Sequence, residues 1–483
     1  MSTLPHLPAL RLGRAYESLD QTEVKDLRTG AVLATLSMVN AGIVRKDLQR
    51  LPAARAALQQ FTVAQLLERS AQAADLFLNG TLPLGDRGHT QSPEHYVTSL
   101  SATSGLPQVM VRRNRARIHA ALDHLPTVLN GLTRGLDLSL LDRGFGEQFG
   151  TRLSFHPTTQ ALGLVMPSNS PAVNSLWLPA LALKTPVILK PGREEPWTPY
   201  RLIQAFVAAG VPAAAFGFYP TDREGAAEIL KSCGRAMIFG DKATTDLYAH
   251  NSAVQAHGPG WSKILLGDDQ VERWPEFLDL MVDSIAANGG RSCLNASAIL
   301  TPKYAAEIAD ALARRLASLA PLPATDEQAR LAAFANPKLA DIIDRTIEAG
   351  LQTAGAQEVT ARYRQGPRKV GFEGATYLRP TIVHCDSFAH PLANLEFLCP
   401  YASVVPMPQA DMVRHLGPSL VVTALTGDPA FSQQLLDCPT IQRLNLGPIS
   451  TLEISWDQPH EGNLFEFLWQ RRSFGRADCA GSS

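Results

Sequence analysis

No stretch of about 18 uninterrupted apolar residues occurs in this 483-residue sequence, so no transmembrane helix is expected. The most apolar region, 161–189, is broken by Pro167, Asn169, Pro171, Asn174 and Lys184. The N-terminus has no basic segment followed by an apolar run, so no signal peptide is expected. An excess of one charge sign is also missing. Lys plus Arg number 44 and Asp plus Glu 45, a net charge of -1, which leaves no electrostatic footprint for nucleic acid or an anionic membrane. Cysteine is sparse, with six residues at Cys233, Cys293, Cys385, Cys399, Cys438 and Cys479. They form no C-x-x-C and no alternation with histidine that reads as a zinc site, so neither a disulfide framework nor a metal is expected. A reducing compartment, the cytoplasm, is the simpler location. The G-x-G-x-x-G fingerprint of ordinary dinucleotide folds is absent too, as are internal repeats and low-complexity tracts.

What is present is an ordinary globular composition, 45% hydrophobic and 18% charged, long enough for about three domains. The first 55 or so residues read as short strands and turns, with a turn at Thr29 and Gly30 before an alternating run. Residues 53–79 and 110–130 carry helical spacing, for example Leu58, Phe61, Val63, Leu66 and Leu67. A Gly-rich polar insert, 80–92, links them. From Leu162 the pattern changes. Short apolar runs (ALGLV, PVILK, AFGFY, AMIFG) alternate with helical segments at 199–209 and 224–232. A second such stretch runs over 263–446, with KILLG, ASAIL, TIVHC and SLVVTAL. This alternation predicts α/β architecture with parallel sheets covered on both faces. Ligands in such sheets bind beyond the C-terminal strand ends, where Asn169, Lys190 and Gly240 stand. The C-terminal piece NLFEFLWQRRSF reads as a strand able to pair with another subunit.

Three positions carry chemistry in their residue type. Cys293 follows a Gly-Gly turn and precedes an apolar strand, so it is either an exposed nucleophile or a small buried hydrophobe. Asn169, between Pro167 and Pro171, is either an oxyanion donor held in a stiff loop or a turn residue. Lys190 ends an apolar strand and either bonds cofactor hydroxyls or phosphate or reaches solvent.

Together these pieces resemble the aldehyde dehydrogenase superfamily over nearly the whole chain. Residues 28–40 resemble its N-terminal hairpin, Pro167 to Pro171 its P-W-N-F-P loop, and Lys190-Pro191 its K-P-S-E segment. Ile238 to Asp241 resemble F-T-G-S, Asn288 to Cys293 resemble N-x-G-Q-x-C, and Glu396 to Pro400 resemble E-x-F-G-P. The resemblance implies that Cys293 adds to an aldehyde carbonyl. The Asn169 amide and the Cys293 N–H hold the oxyanion, hydride leaves to NAD or NADP, and a thioester remains. It implies that Lys190 and Glu396 bond the cofactor riboses, and that Gly225 and Gly240 flank the helix facing the pyrophosphate.

The sequence departs from the family where hydrolytic members carry a general-base glutamate. His257 stands there in a gapless match, before Gly258-Pro259-Gly260. The G-P-G turn resembles CoA-acylating members, in which a thiol rather than water resolves the thioester, with CoA as co-substrate. Alternatively His257 is itself the base, or only a packing residue. The sequence leans to the CoA-acylating reading, although CLNASAIL counts against it by resembling the hydrolytic branch at least as well. Ser168 replaces a tryptophan beside Asn169. Asp241 replaces a serine near the pyrophosphate, where a carboxylate is unfavourable unless it caps the helix itself. Arg193, three residues after Lys190, suits a 2′-phosphate, but Glu194 and Glu195 beside it leave NAD and NADP both open.

The implied architecture is aldehyde dehydrogenase-like. It has a Rossmann-like cofactor domain (1–146 and 160–256), a catalytic domain (257–452) and a β oligomerisation arm (147–159 and 453–483). The expected partners are a small aldehyde or acyl thioester and further copies of the chain in a homodimer or homotetramer. A catalytically silent member that binds a nucleotide or partner is the reading from another class.

Overall fold

A computed structural model describes residues 4–475. Cys479 and the stretch 476–483 of the expected arm lie outside them. Two seven-stranded sheets dominate. In the first, Val254–His257, Gly234–Phe239, Ala161–Val165, Val187–Lys190 and Phe216–Phe218 run parallel, and Ala9–Arg11 and Arg14–Tyr16 close one edge antiparallel. Val165 pairs with both Lys190 and Ile238, so three strands end in one row. The strands are almost wholly buried, as two-sided helical cover requires of β-branched and leucine runs.

In the second sheet the order is Ala356–Glu358, Thr381–Cys385, Tyr401–Pro406, Ala296–Thr301, Ser262–Leu266, Ser419–Leu425 and Ile441–Leu446. All pairings are parallel except the first. A smaller antiparallel sheet joins Phe145–Gln148, Thr151–Pro157 and Trp469–Arg472. Cys293 stands just ahead of the strand Ala296–Thr301, and Asn169 just beyond the strand Ala161–Val165. The entry of the second sheet therefore faces the exit of the first across a cleft. No helix among the described residues is long and apolar enough to cross a membrane.

Three local readings need correction. The first 55 residues are not only strands and turns: helices Ala41–Leu48 and Leu51–Gln59 begin there. Asn40 caps the first by accepting from Ile43 N at 3.0 Å, and Pro52 suits the first turn of the second. The helical stretch 53–79 is two helices, because Thr62 and Gln65 form a capping box that starts Val63–Asn79 anew. The C-terminal run is a strand only in its second half. Asn463 accepts from Phe465 N and Glu466 N, starting a helical turn at Leu464–Leu468 before the strand Trp469–Arg472. The helix Pro93–Ser104 has no counterpart in the sequence reading; its serines and threonines hide the apolar spacing, although Ser92, Pro93 and Gly105 are ordinary start and stop signals.

Arg201, in the helix Trp197–Ala208, fastens that helix to the end of Val63–Asn79 and to the hairpin that follows it. Its guanidinium, 1% exposed, donates to Phe77 O at 3.0 Å, Gln91 O at 2.9 Å and Gly80 O at 2.6 Å, and lies near the rings of Phe77 and Tyr96. Arg201→Met would leave three carbonyls without donors. It should lower the unfolding free energy in urea by roughly 3 kcal/mol or more. A loss below about 1 kcal/mol would mean that water replaces those bonds.

Candidate active site

Between the two sheets lies a cavity of about 720 Å³, lined by Cys293, Asn169, His257, Glu396, Glu461 and His460 among others. Its nucleophile is placed by backbone geometry. Asn288, Gly289 and Gly290 adopt left-handed conformations in succession, with φ of 54°, 67° and 68°. A Cβ on Gly290 would run into Cys399 and Pro400, so only glycine lets this loop pass the segment that carries Glu396. Arg291 is then buried, its guanidinium donating to Ser104 O at 3.1 Å and to Ala333 O, over the ring of Phe334. The Cys293 carbonyl accepts from Ser262 Oγ at 2.8 Å, and a Cβ on Gly260 would collide with it.

Asn169 reaches this loop directly. Its Nδ2 donates one hydrogen to Arg291 O at 2.9 Å, which leaves the second free for another acceptor. The nucleophile and the amide thus line one cavity rather than opposite walls. The Cys293 thiol is partly exposed. Burial pushes its pKa well above the ordinary thiol range, and the charges of Glu461 and Glu396 push the same way. It therefore rests as the thiol, and attack on a carbonyl needs a group to take its proton.

His257 ends the strand Val254–His257 and is 6% exposed. Its ring stacks on Phe239, centroids 4.6 Å apart. Nδ1 lies 2.6 Å from Glu461 Oε2, off the axis of a good hydrogen bond and an ion pair only when the ring is protonated, and Nε2 is buried with no partner among the described residues. Burial favours the neutral form of Glu461, but the His257 and His460 rings outweigh it and hold the carboxyl below its ordinary value. Burial, with Arg443 nearby, lowers His460 to about 4, and Arg443 Nη1 lies 3.2 Å from His460 Nδ1. The sequence reading missed Glu461. It lies 204 positions from its partner, and nothing local in H-E-G-N marks it.

Glu396 accepts from Trp261 N at 2.6 Å. Burial raises its carboxyl to about 7 against that bond and the pull of Lys263. Lys263, fully buried, donates to Trp261 O at 2.6 Å and Ser419 Oγ at 3.0 Å, and burial lowers it to about 7. Lys190 closes the strand Val187–Lys190 outside the cavity lining. Burial lowers its pKa, opposed by Glu194, and its ammonium has no hydrogen bond among the described residues. Arg193 is exposed and also outside the lining. Gly225 is buried in the first turn of Arg223–Ser232, its N–H already donated to Asp222 Oδ1 at 2.9 Å, so it does not join the cavity. Gly240 and Asp241 do line it. The Asp241 carboxylate accepts from Thr244 N at 2.8 Å and so caps the five-residue helix Lys242–Asp246 with its own side chain. Those bonds hold its pKa low.

Residues 151–415 match the family model described as the aldehyde dehydrogenase family. A Staphylococcus haemolyticus protein named as an aldehyde dehydrogenase is 25% identical over 277 residues, 54% of this chain and 56% of its own. The chain thus spans little more than half the length of that relative. Among solved structures, an indole-3-acetaldehyde dehydrogenase of P. syringae in complex with NAD+ superposes with a TM-score of 0.78 at 15% identity, covering 98% of this chain and 97% of its own. The aldehyde dehydrogenase KauB of Pseudomonas aeruginosa gives 0.78 at 16% identity, over 97% and 96%. At those identities the likeness is one of fold. The family match covers more than half of the sequence and takes in Asn169, Lys190, Gly240, His257, Cys293 and Glu396; the chain belongs to the aldehyde dehydrogenase family.

Proposed function

We propose that the protein oxidises aldehydes with NAD or NADP through a thioester on Cys293, and that water, activated by His257, releases the acid. Family membership supports the oxidoreductase class. The observation that carries the hydrolytic reading is the His257–Glu461 contact of 2.6 Å with Nε2 left unpartnered. A carboxylate behind Nδ1 steadies the imidazolium that forms when Nε2 takes a proton.

The groups at the strand ends fit a dinucleotide. Lys190 offers an ammonium without a hydrogen-bond partner among the described residues, Glu396 offers a carboxyl at the cavity wall, and both suit ribose hydroxyls. When bound, the nicotinamide supplies a hydride acceptor. The chain's own residues do the rest. The Cys293 sulfur forms a bond to the carbonyl carbon as its proton passes by way of His257 Nε2 to solvent, and the carbonyl electron pair moves to oxygen. The free hydrogen of Asn169 Nδ2 and the Cys293 N–H face that oxygen. Loss of hydride leaves a thioester. Water then adds, its proton going to His257 Nε2, and the C–S bond breaks to release acid and a thiolate that takes that proton back.

The CoA-acylating alternative draws on the G-P-G turn and needs little help from a base, since a thiol gives up its proton far closer to neutrality than water does. The domain roles follow the same reading: the first sheet for the cofactor, the second for catalysis, and the small sheet for assembly. The outer edges of its two outer strands are unpaired among the described residues, which supports a homodimer or homotetramer.

Cys293→Ala should abolish aldehyde-dependent reduction of NAD+ or NADP+; more than a trace of residual rate rejects the mechanism. His257→Ala should slow acid release by roughly 100-fold while the first burst of reduced cofactor persists. If acyl-CoA forms only when CoA is added, and His257→Ala leaves turnover unchanged, the thiol-accepting reading replaces the hydrolytic one. Because burial and two carboxylates raise the Cys293 pKa, its alkylation by iodoacetamide should keep accelerating through about pH 9. A plateau near neutrality would show a resting thiolate instead.

A further inference from the structure

Behind the reacting atoms, three side chains from three separate segments form a closed polar triangle. Asn114 sits in the middle of the helix Gln108–Asp123 and is 2% exposed. Its Nδ2 donates to Asn288 Oδ1 at 2.7 Å and to Met110 O at 2.8 Å. Its Oδ1 accepts from Ser170 Oγ at 3.2 Å, and Asn288 Nδ2 reaches the same Ser170 Oγ at 3.4 Å. Asparagine is a poor choice for a helix interior, because its amide competes with the backbone. Here both of its donors and one acceptor site are used.

The partners give the triangle its meaning. Ser170 adjoins Asn169, whose amide lines the cavity. Asn288 begins the left-handed run that leads through Arg291 to Cys293, and the Arg291 carbonyl accepts from Asn169. One buried amide therefore holds the loop of the oxyanion donor and the loop of the nucleophile to the same point of a rigid helix.

We propose that Asn114 is a positioning residue, fixing Asn169 against Cys293 so that the free Asn169 hydrogen meets the carbonyl oxygen as charge develops there. This rests on the proposed function. A displacement of about 1 Å at such a donor costs on the order of 100-fold in rate.

The test is a double-mutant cycle on the full chain. Two readouts are used: kcat and KM for aldehyde oxidation, and formation of an aryl trifluoromethyl ketone adduct on Cys293, followed by ¹⁹F NMR. Asn114→Ala should lower kcat by ~10- to 100-fold with KM within about three-fold, and should weaken the adduct. Asn114→Asp, which cannot donate to Asn288 Oδ1, should behave alike. Ser170→Ala, in a loop and gentler on folding, should move kcat and the adduct in the same direction. In an Asn169→Ala background each change should add no more than about two-fold. Independent, multiplicative losses, or Asn114→Ala activity within about two-fold of the parent, would overturn the proposal. If Asn114→Ala does not fold, Ser170→Ala carries the same cycle. If the parent chain oxidises no aldehyde, the functional reading fails by itself, and the adduct cycle still decides whether Asn114 positions Asn169.

Discussion

The bond from Asn169 Nδ2 to Arg291 O is the contact on which the site depends. It joins a loop leaving the first sheet to a loop entering the second, and neither sheet alone contains a reactive centre. Its acceptor is fixed because Arg291 is anchored to Ser104 and Ala333. Its approach is possible because Gly290 passes Cys399 and Pro400 without a side chain. That close passage also ties the Cys293 loop to the segment bearing Glu396. Nucleophile, amide and acidic wall are therefore set by one set of backbone contacts, not by three independent ones.

Charge in the cavity is arranged around burial. Desolvation raises the Cys293 thiol and the Glu396 carboxyl and lowers Lys263; each shift disfavours an isolated charge. Glu461 runs the other way because two imidazoles face it. The result is a site in which two loop carboxyls, Glu396 and Glu461, face the strand residues Lys263 and His257, and in which His257 has both a carboxylate behind Nδ1 and an open Nε2.

The alternation of short apolar strands with helices was legible, since parallel strands buried on both faces leave a simple signature. So was the placing of Cys293 and Asn169 near proline or glycine at strand ends, whereas Lys190 closes its strand outside the cavity that those two line. The helix Pro93–Ser104 was not legible, because its buried face is built from Ser99, Ser101, Thr103 and Ser104 as well as Leu100. Glu461, Asn114 and Arg291 were missed for another reason. Their roles exist only through partners far away in sequence, and no local spacing encodes such a contact. Gly225 shows the converse: a glycine placed by pattern beside a phosphate site spends its N–H on Asp222 and packs against Thr221.

The self-capped helix at Lys242–Asp246 has a further consequence. An N-terminus that ordinarily welcomes phosphate here has the Thr244 N–H taken by the carboxylate of Asp241, which leaves one donor fewer for a polyanion laid against it. A dinucleotide drawn in by the neighbouring Lys190 would gain little grip along its diphosphate. Its hold on the site would then rest on the ribose hydroxyls rather than on the diphosphate.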